Sequence, residues 1–381
     1  MTQFTPHQDA ALKAVSAWLS DAPGENDSRQ VFRLFGYAGT GKTTLAQTIA
    51  EGVDGDVKFA AFTGKAASVM RAKGCRGAST IHSLIYRARE SGEEIPSFDL
   101  WDEAPASKAS LIIIDECSMV DAELGRDLLS FGVPVLVLGD PAQLPPVQTG
   151  ANAGGFFTEA EPDAMLTEVH RQAQDDPIVR LSMQVREGAR LEPGEYGDTQ
   201  VVHRNALDPR RVINADQVLV GRNVTRRSYN MRMRQHRGFE SEMPAAGDKL
   251  VCLRNNRKKG LFNGGLWTVK ERTGAKRAGK TAPKSGILGM RLLPDDESGL
   301  RGVKVSVRRE CFTGGIEQME WDKRRPYDEF DYGYVLTVHK AQGSQWDDVV
   351  LFDESYAFKD SRERWLYTGI TRAAKRLTVV V

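Results

Sequence analysis

Several features that would assign this chain to a special class are scarce or absent in its sequence. Among 381 residues it has four cysteines, Cys75, Cys117, Cys252 and Cys311, without the close spacing of a zinc site or disulfide framework. No apolar run reaches transmembrane length, and the first residues lack the apolar core of a signal peptide. The net charge is only +1, so affinity for a polyanion requires local patches. We therefore expect a cytoplasmic protein from a reducing compartment, with no membrane association.

The rest of the composition is that of an ordinary globular protein. Hydrophobic residues make up 40% and charged residues 27% of the chain. Strand-like and helical stretches alternate in residues 1–84 and 108–175, and again in residues 176–242 and 331–381, as in doubly wound α/β sheets. These patterns predict two α/β domains, each interrupted by an insertion.

The two insertions differ in character. Residues 85–107 are acidic and carry isolated aromatic residues, which indicates a small excursion from the first sheet. Residues 243–330 contain short strand-like runs separated by Gly, Asn, Asp and Lys clusters. A small antiparallel barrel is the simplest interpretation of the second insertion.

The most informative stretch is Gly36-Tyr-Ala-Gly-Thr-Gly-Lys42-Thr43, which joins the apolar run Val31–Phe35 to a helical segment. A strand, a glycine-rich turn and a helix N-terminus form the context of a P-loop, whose N–H groups face phosphates. In that role Lys42 reaches the β- and γ-phosphates, and the Thr43 hydroxyl holds Mg²⁺. A chance glycine turn is the alternative, and the completeness of the motif argues against it. The residues predicted to bind nucleotide here are Gly36, Ala38, Gly39, Thr40, Gly41, Lys42, Thr43 and Thr44.

Two adjacent carboxylates, Asp115 and Glu116, end a second apolar run that begins at Leu111. We expect this run to be a buried strand next to the P-loop strand, since parallel strands end at one edge of a sheet. Asp115 would then hold Mg²⁺ through water, and Glu116 would polarise the attacking water. Two solvated acids at a strand end are the alternative, but a P-loop in the same chain disfavours it. The sequence predicts hydrolysis of a nucleoside triphosphate.

Nine short motifs occur in an order that resembles one family, the superfamily 1 (1B type) DNA helicases related to RecD and phage Dda. The resemblance implies two RecA-like P-loop domains, with a small hairpin insertion in the first and an SH3-like β-barrel insertion in the second. It further implies an ATP-dependent 5'-to-3' DNA helicase with ATP and Mg²⁺ as cofactors. The motifs are Phe4–Gln8, the P-loop, Phe62–Ala67, Thr80–Ser83, Asp115–Met119, Gly139–Pro146, Leu166–Gln172, Thr337–Gly343 and Tyr367–Ala373.

The resemblance adds roles at the ATP site. Gln8 is implied to read the adenine edge, because an amide both donates and accepts hydrogen bonds; a surface glutamine is the alternative. Gln143 would lie beside the γ-phosphate or the attacking water and sense hydrolysis. Arg171 and Arg372, one from each lobe, would neutralise charge that develops during phosphoryl transfer. Gly343 belongs to the same site, although the sequence leaves open which of its neighbours meets the ribose.

Small polar and cationic residues at strand ends are predicted to contact the phosphates of single-stranded DNA. They are Thr63, Lys65, His82 and Ser83 in the first lobe and Thr337, His339 and Lys340 in the second. For the two histidines a buried structural role is the alternative. Arg257 and Asn263 lie in a basic, amide-rich turn of the second insertion that favours binding of the strand. The arginine-rich stretch 222–237 is either a DNA-binding surface or a solvated helix face.

The first insertion occupies the interval in which relatives carry a strand-separating hairpin. Phe98 and Trp101 would stack there on the last base pair of forked duplex DNA; a core role for both rings is the alternative. We expect a monomer in a bacterial or phage-infected cell, with replication or recombination proteins as further partners. An ATPase clamp that does not unwind, and a superfamily 1 RNA helicase, stay open as alternative functions.

Overall fold

The chain folds into two compact units. The computed structural model describes residues 4–21, 29–88, 98–145, 155–168, 175–256, 259–261, 263–274, 286–295 and 302–381. The first unit comprises residues 1–201, 342–345 and 358–377, and the second comprises the remainder. Residues 176–201, 342–345 and 358–377, which the sequence assigned to the second α/β domain, thus lie in the first unit, and Arg372 lies there with them. In the described parts of the chain, no helix has both the length and the apolar character needed to cross a bilayer.

A six-stranded parallel sheet organises the first unit, with strand order β3-β2-β6-β7-β1-β8. Strand β7 lies between β1 and β6, so the strand that ends at Asp115 is not the direct neighbour of the P-loop strand, contrary to expectation. Strands β4 and β5 form a separate antiparallel hairpin. The strands are β1 (Val31–Gly36), β2 (Val57–Ala61), β3 (Ser79–Thr80), β4 (Tyr86–Ala88), β5 (Phe98–Leu100), β6 (Leu111–Asp115), β7 (Val135–Gly139) and β8 (Ala164–Leu166).

This sheet is buried on both faces, which explains its continuous apolar runs. In β6, Leu111 and Ile113 belong to one hydrophobic cluster, whereas Ile112 and Ile114 belong to another. Successive side chains of a strand point to opposite faces, so both faces need apolar residues when helices cover each of them. Asp115 is the last residue of β6 and lies at the carboxyl edge of the sheet, where the buried apolar run of this strand ends.

Helix starts follow N-cap chemistry. The side chains of Thr5, Thr63, Asp121 and Asp176 each accept a hydrogen bond from an N–H group in the first turn of the following helix. The helices are α1 (Pro6–Ser20), α2 (Lys42–Glu51), α3 (Gly64–Ala72), α4 (Ile81–Ile85), α5 (Ala122–Leu129), α6 (Pro177–Arg186), α7 (Pro209–Asn214), α8 (Asn223–His236), α9 (Glu310–Thr313), α10 (Trp321–Arg324) and α11 (Arg362–Ile370). Helix α11 packs against α6, which accounts for the presence of both in the first unit.

The second unit contains a parallel sheet and an antiparallel sheet. Strand β11 pairs in parallel with β17 and β18. The antiparallel sheet has five strands in the order β15-β14-β13-β12-β16. The prediction of two parallel sheets and an antiparallel insertion is confirmed. The remaining strands among the described residues are β9 (Gly194–Tyr196), β10 (Thr199–Val202), β11 (Gln217–Val220), β12 (Lys249–Cys252), β13 (Leu266–Thr273), β14 (Ile287–Pro294), β15 (Val303–Arg308), β16 (Phe330–Tyr332), β17 (Val335–Thr337), β18 (Trp346–Phe352) and β19 (Ala373–Val380).

Helix α8 contains most of the arginine-rich stretch, and two of its arginines are structural. Arg234 is fully buried, and its Nε and Nη2 atoms donate to the two carboxylate oxygens of Asp248, each at 2.9 Å. The Tyr334 hydroxyl donates to the same carboxylate at 3.0 Å. Arg226 pairs with Asp331 of β16 at 2.7 Å. These contacts attach α8 to the start of β12 and to β16, so neither arginine belongs to a solvated or DNA-facing surface.

Candidate functional site

The turn between β1 and α2 requires glycine for two separate reasons. Gly39 and Gly41 both have a φ of 78°, a left-handed conformation that other residues seldom adopt. At Gly36, which has no such φ, a Cβ would lie 2.7 Å from Thr40 Oγ1 and 2.8 Å from Leu166 Cβ. Helix α2 has no side-chain N-cap, which leaves the N–H groups of its first turn available to an anion. The turn thus has the shape and polarity of a phosphate cradle.

A cavity of about 420 Å³ lies over this turn, entirely within the first unit. The cavity brings together most residues that the sequence predicted for the ATP site, although Gly36 and Gln8 do not line it. Arg171 lies outside the described residues. The lining residues are Tyr37–Thr44, Ala66, Val69, Lys73, Asp115, Glu116, Gly139, Asp140, Gln143, Gly343–Gln345, Thr371 and Arg372.

Lys42 enters the cavity from the first position of α2. Its Nζ donates to the carbonyl oxygen of Tyr37 at 2.9 Å and also to that of Gly36. Both acceptors are neutral, so the ammonium charge is not neutralised by these contacts. Phosphate oxygens are stronger acceptors for this group than carbonyl oxygens, because a charge-assisted hydrogen bond is stronger.

Glu116 combines an unusual backbone with an unusual carboxyl group. Its φ of 55° and ψ of 44° place the backbone in the left-handed region. This conformation costs free energy in a non-glycine residue, and residues that adopt it cluster at functional sites. Burial raises the pKa of its carboxyl above the ordinary value; the charge of Arg372 opposes this rise, and that of Asp115 adds to it. A carboxylate with a raised pKa is a better proton acceptor. The position and chemistry fit a general base.

Arg372 is held at the cavity wall by backbone carbonyls. Its Nε donates to the Thr368 oxygen at 3.0 Å, and Nη1 donates to the Ser344 oxygen at 3.3 Å. Nη1 also lies 3.8 Å from Glu116 Oε1. The side chain is almost completely buried, so its planar guanidinium has a fixed direction and can grip an oxyanion at two atoms.

The side-chain amide oxygen of Gln143 receives no hydrogen bond from the described residues. This Oε1 atom is buried. A buried polar atom without a partner is costly, so such atoms are usually satisfied by water or ligand. An orphaned acceptor at the cavity wall fits a bound water molecule, as the predicted role of Gln143 requires.

Gln8 is committed to the protein backbone. Its Nε2 donates to the Thr40 carbonyl at 2.9 Å, and its Oε1 accepts from the Thr5 N–H at 3.0 Å. The side chain is buried and ties the first turn of α1 to the P-loop. Its role in adenine recognition stays a prediction.

The donor set for a divalent cation consists of oxygens. Thr43 and Asp115 both line the cavity, and hydroxyl and carboxylate oxygens are the ligands that Mg²⁺ prefers. No group of three or more His, Cys, Asp or Glu residues that could hold a metal occurs among the described residues. Two protein ligands fit Mg²⁺ held together with nucleotide phosphates and water.

The predicted DNA contacts of the first unit differ in accessibility. Thr63 Oγ1 accepts from the Ala66 N–H at 3.1 Å, so this hydroxyl also serves as the N-cap of α3. The His82 ring packs between the rings of Phe62 and Tyr86, with centroid distances of 6.2 and 5.7 Å. Ser83 is exposed, and the side chain of Lys65 lies outside the described part of the chain.

The β4–β5 hairpin falls in the interval predicted for strand separation. Phe98 begins β5, but its side chain is outside the described structure. Trp101 follows β5 and is half-buried, and its backbone N–H donates to the Ile85 carbonyl at 3.0 Å. The base of the hairpin is therefore fixed to the end of α4.

The predicted DNA contacts of the second unit meet at the carboxyl end of β17. Thr337 Oγ1 accepts from the Lys340 N–H at 3.3 Å, and Lys340 Nζ donates to Asn263 Oδ1 at 2.9 Å. The insertion and the parallel sheet thus contribute to one polar cluster. Burial lowers the pKa of His339, so its imidazole is neutral at pH 7. Arg257 lies outside the described residues.

Sequence reasoning missed two residues of α11, Tyr367 and Thr368. The Tyr367 hydroxyl donates to Asp140 Oδ2 at 2.7 Å and accepts from the Ala38 N–H of the P-loop at 2.9 Å. Thr368 Oγ1 accepts from the Leu144 N–H at 2.9 Å. Both belong to the last sequence motif, where only Arg372 had received a role. The signal was present, but an aromatic residue inside a helix is usually interpreted as core.

Two protein-family models match the chain. The model described as an AAA domain matches residues 22–206, and the model described as a UvrD-like helicase C-terminal domain matches residues 332–380. Together they match more than half of the chain.

Curated relatives are longer than this chain. The ATP-dependent RecD2 DNA helicase of Deinococcus radiodurans is 30% identical over 364 residues, which cover 90% of this chain and 46% of the relative. The ATP-dependent DNA helicase dda of Enterobacteria phage T4 is 34% identical over 164 residues, covering 40% of this chain and 37% of the relative. The matched parts are less than half of each relative.

Solved structures of Pif1 helicases share the fold. One, from work on DNA unwinding at forked double-stranded DNA by two coordinating Pif1 helicases, has a TM-score of 0.59 at 18% identity and covers 100% of this chain and 92% of that chain. Bacteroides Pif1 bound to single-stranded DNA has a TM-score of 0.55 at 16% identity, with coverage of 100% and 93%. In its ordered motifs and its two family matches the chain is similar to the superfamily 1B helicases of the RecD2 and Dda type, and it shares its fold with Pif1 helicases.

Proposed function

We propose that the chain is an ATP-dependent 5'-to-3' DNA helicase, which hydrolyses ATP to ADP and phosphate as it moves on single-stranded DNA. The observation that carries the proposal is the convergence of Lys42, Glu116, Gln143 and Arg372 on one cavity over the P-loop. The names of the RecD2 and Dda relatives support DNA as the substrate. The 5'-to-3' direction rests on the resemblance of the ordered motifs to the 1B type.

The proposed mechanism assigns each group a separate task. The P-loop N–H groups and Lys42 would bind the β- and γ-phosphates, while Thr43 and Asp115 would hold Mg²⁺, which would supply neutralisation of phosphate charge. Glu116 accepts a proton from the attacking water, which Gln143 orients through its amide. Arg372 offsets the charge that develops on the phosphoryl oxygens. Preorganised groups of this kind need no rearrangement during the reaction.

The proposed DNA path uses side chains that remain accessible or polar at strand ends. Ser83 and Thr63 would contribute in the first unit, and Lys340 with Asn263 in the second. Hydroxyl, amide and ammonium groups suit phosphate contacts that carry no sequence information. The solved structure of Bacteroides Pif1 bound to single-stranded DNA, which has the same fold, supports this class of ligand.

We also propose that the β4–β5 hairpin separates the strands and that the five-stranded antiparallel sheet is an SH3-like barrel. Antiparallel pairing within the predicted interval supports the first assignment. Replacing Phe98 and Trp101 together with alanine should reduce unwinding and leave DNA-stimulated ATPase intact. If the double variant melts at a much lower temperature and loses ATPase, both rings are core residues.

The test of the whole proposal combines chemistry and polarity. Lys42→Ala and Glu116→Gln should each lower ATP turnover by about 10²–10³-fold, the usual effect of losing one preorganised group. Glu116→Gln should keep ATP binding. Glu51→Gln, an identical change at an exposed position of α2, is the matched control and should behave as wild type. Wild-type turnover in Glu116→Gln would falsify the assigned base.

Labelled duplexes separate the candidate functions. With the wild-type protein and ATP, a duplex carrying a 5' single-stranded tail should unwind, and one carrying a 3' tail should not. DNA-stimulated ATPase without unwinding of either duplex would indicate a clamp or remodelling switch. Unwinding that occurs only when the tracked strand is RNA would indicate an RNA helicase.

A further inference from the structure

Helix α11 is anchored to the nucleotide-binding framework at two consecutive residues. Tyr367 bridges the P-loop and the loop after β7, through Ala38 N–H and Asp140 Oδ2. Thr368 accepts from the N–H of Leu144, in the same loop after β7. Both side chains are fully buried. Two consecutive side chains of the helix therefore contact two of the elements that line the cavity.

The donor and acceptor roles of the Tyr367 hydroxyl are fixed. Burial raises the pKa of the phenol, and the negative charge of Asp140 raises it further, so the hydroxyl stays protonated and donates to the carboxylate. Its oxygen is then free to accept from Ala38 N–H. Asp140 Oδ1 accepts from Ala142 N–H at 3.0 Å, so the carboxylate is itself oriented. The bridge has a single hydrogen-bond arrangement.

Arg372 lies just beyond these anchors on the same segment. Its Nε donates to the carbonyl of Thr368, so the guanidinium and the second anchor share a residue. A shift of the helix would carry the guanidinium with it. Misplacement of a catalytic group by about 1 Å can cost about 10²-fold in rate.

We infer that Tyr367 is a positioning residue, whose hydroxyl fixes α11 to the P-loop and to Asp140 and thereby sets Arg372 at the cavity wall. The inference rests on the proposed function, and it assigns a role that the sequence motifs do not. Tyr367 itself need not touch nucleotide, because it acts through Arg372.

The test uses Tyr367→Phe, which keeps the buried ring and removes only the hydroxyl. We expect kcat for ATP hydrolysis to fall about tenfold, because two buried polar groups lose their partner and the helix loses a constraint. KM for ATP should change by less than about twofold, since a group that acts mainly in the transition state contributes little to ground-state binding.

Tyr334→Phe is a closely matched control from the second unit. The Tyr334 hydroxyl donates to Asp248 Oδ1 at 3.0 Å and accepts from the Lys249 N–H at 3.1 Å, the same arrangement of backbone donor, phenol and carboxylate. Its loss should lower the melting temperature and leave kcat unchanged. A merely structural role for Tyr367 predicts the same outcome for both variants, which would overturn the inference.

A double variant tests whether the effect passes through Arg372. Once Arg372→Ala has removed the guanidinium, adding Tyr367→Phe should lower kcat no further, because the two changes act on one interaction. A full additional tenfold loss would mean that Tyr367 supports the P-loop directly.

Thr368 keeps the inference testable if Tyr367→Phe does not fold. Thr368→Val should lower kcat, whereas Thr368→Ser, which retains the hydroxyl, should restore it; equal kcat values in the two variants would contradict the anchoring model. Should the wild-type protein hydrolyse ATP without any stimulation by DNA, the helicase proposal fails. The ratio of variant to wild-type kcat in basal hydrolysis would still decide the role of Tyr367.

Discussion

Replacing Asp248 with asparagine should strongly weaken the attachment of α8 to the antiparallel sheet of the second unit. Each carboxylate oxygen accepts two hydrogen bonds: Oδ1 from Arg234 Nε and the Tyr334 hydroxyl, and Oδ2 from Arg234 Nη2 and the Ala245 N–H. Whichever oxygen is replaced by the amide NH₂ group, an N–H donor of Arg234 would face another donor. The change also leaves the buried guanidinium without a counter-charge.

The expected cost is about 3–5 kcal/mol, the range found when one partner of a buried ion pair is removed. The same helix provides the control, since Arg227 pairs with Glu317 at 3.8 Å with side chains 60% and 77% exposed. Glu317→Gln makes the same carboxylate-to-amide change and should cost less than about 0.5 kcal/mol, as exposed pairs do.

Native-state hydrogen exchange is the suitable assay, because a chain with two compact units need not unfold in one step. Amides of β12 and β16 should exchange roughly a hundredfold faster or more in Asp248→Asn, and at the wild-type rate in Glu317→Gln. Equal exchange in the two variants would refute the argument that this buried pair holds the sheet to α8.

Three further predictions concern the candidate site. Gly36→Ala should abolish nucleotide binding measured by fluorescence titration, because its Cβ clashes at 2.7 Å, whereas Gly52→Ala at the end of α2, with its nearest contact at 3.6 Å, should bind normally. Because burial raises the pKa of Glu116 above 4.5, its carboxyl in the protein free of nucleotide and Mg²⁺ should titrate at a pH above that ordinary value; an NMR titration with its midpoint at the ordinary value would contradict the assignment. Lys340→Gln should reduce the slope of log affinity for single-stranded DNA against log salt by about 0.7, while His339→Gln, which replaces a neutral ring, should leave the slope at pH 7.5 unchanged. Equal salt dependence of the affinity in the two variants would contradict a contact between Lys340 and a DNA phosphate.

Local motifs made the core of the site predictable. The P-loop and the pair Asp115 and Glu116 follow apolar strands directly, and parallel strands end at a common edge, so their convergence follows from local sequence. The order of the strands could not be predicted from local sequence, because the placement of β7 between β1 and β6 depends on how the crossovers pack.

Interactions between distant residues were the part that sequence could not supply. Arg234 looked like one member of a basic helix, since its partner Asp248 lies 14 residues away in another element. Tyr367 is 227 residues from Asp140, and no local pattern links them. Buried polar pairs of this kind depend on the tertiary fold.

The burial of every native thiol has a practical consequence for experiments on this protein. All four cysteines are buried, and burial raises the pKa of Cys252 and of Cys311 to about 12. Thiol reagents react with the thiolate, so these groups are poor targets near neutral pH. A cysteine introduced at Val224, a position 76% exposed, would therefore carry a fluorophore selectively without removal of the native cysteines. Single-molecule fluorescence of the labelled protein would test the proposed movement on single-stranded DNA with its hydrophobic cores unaltered.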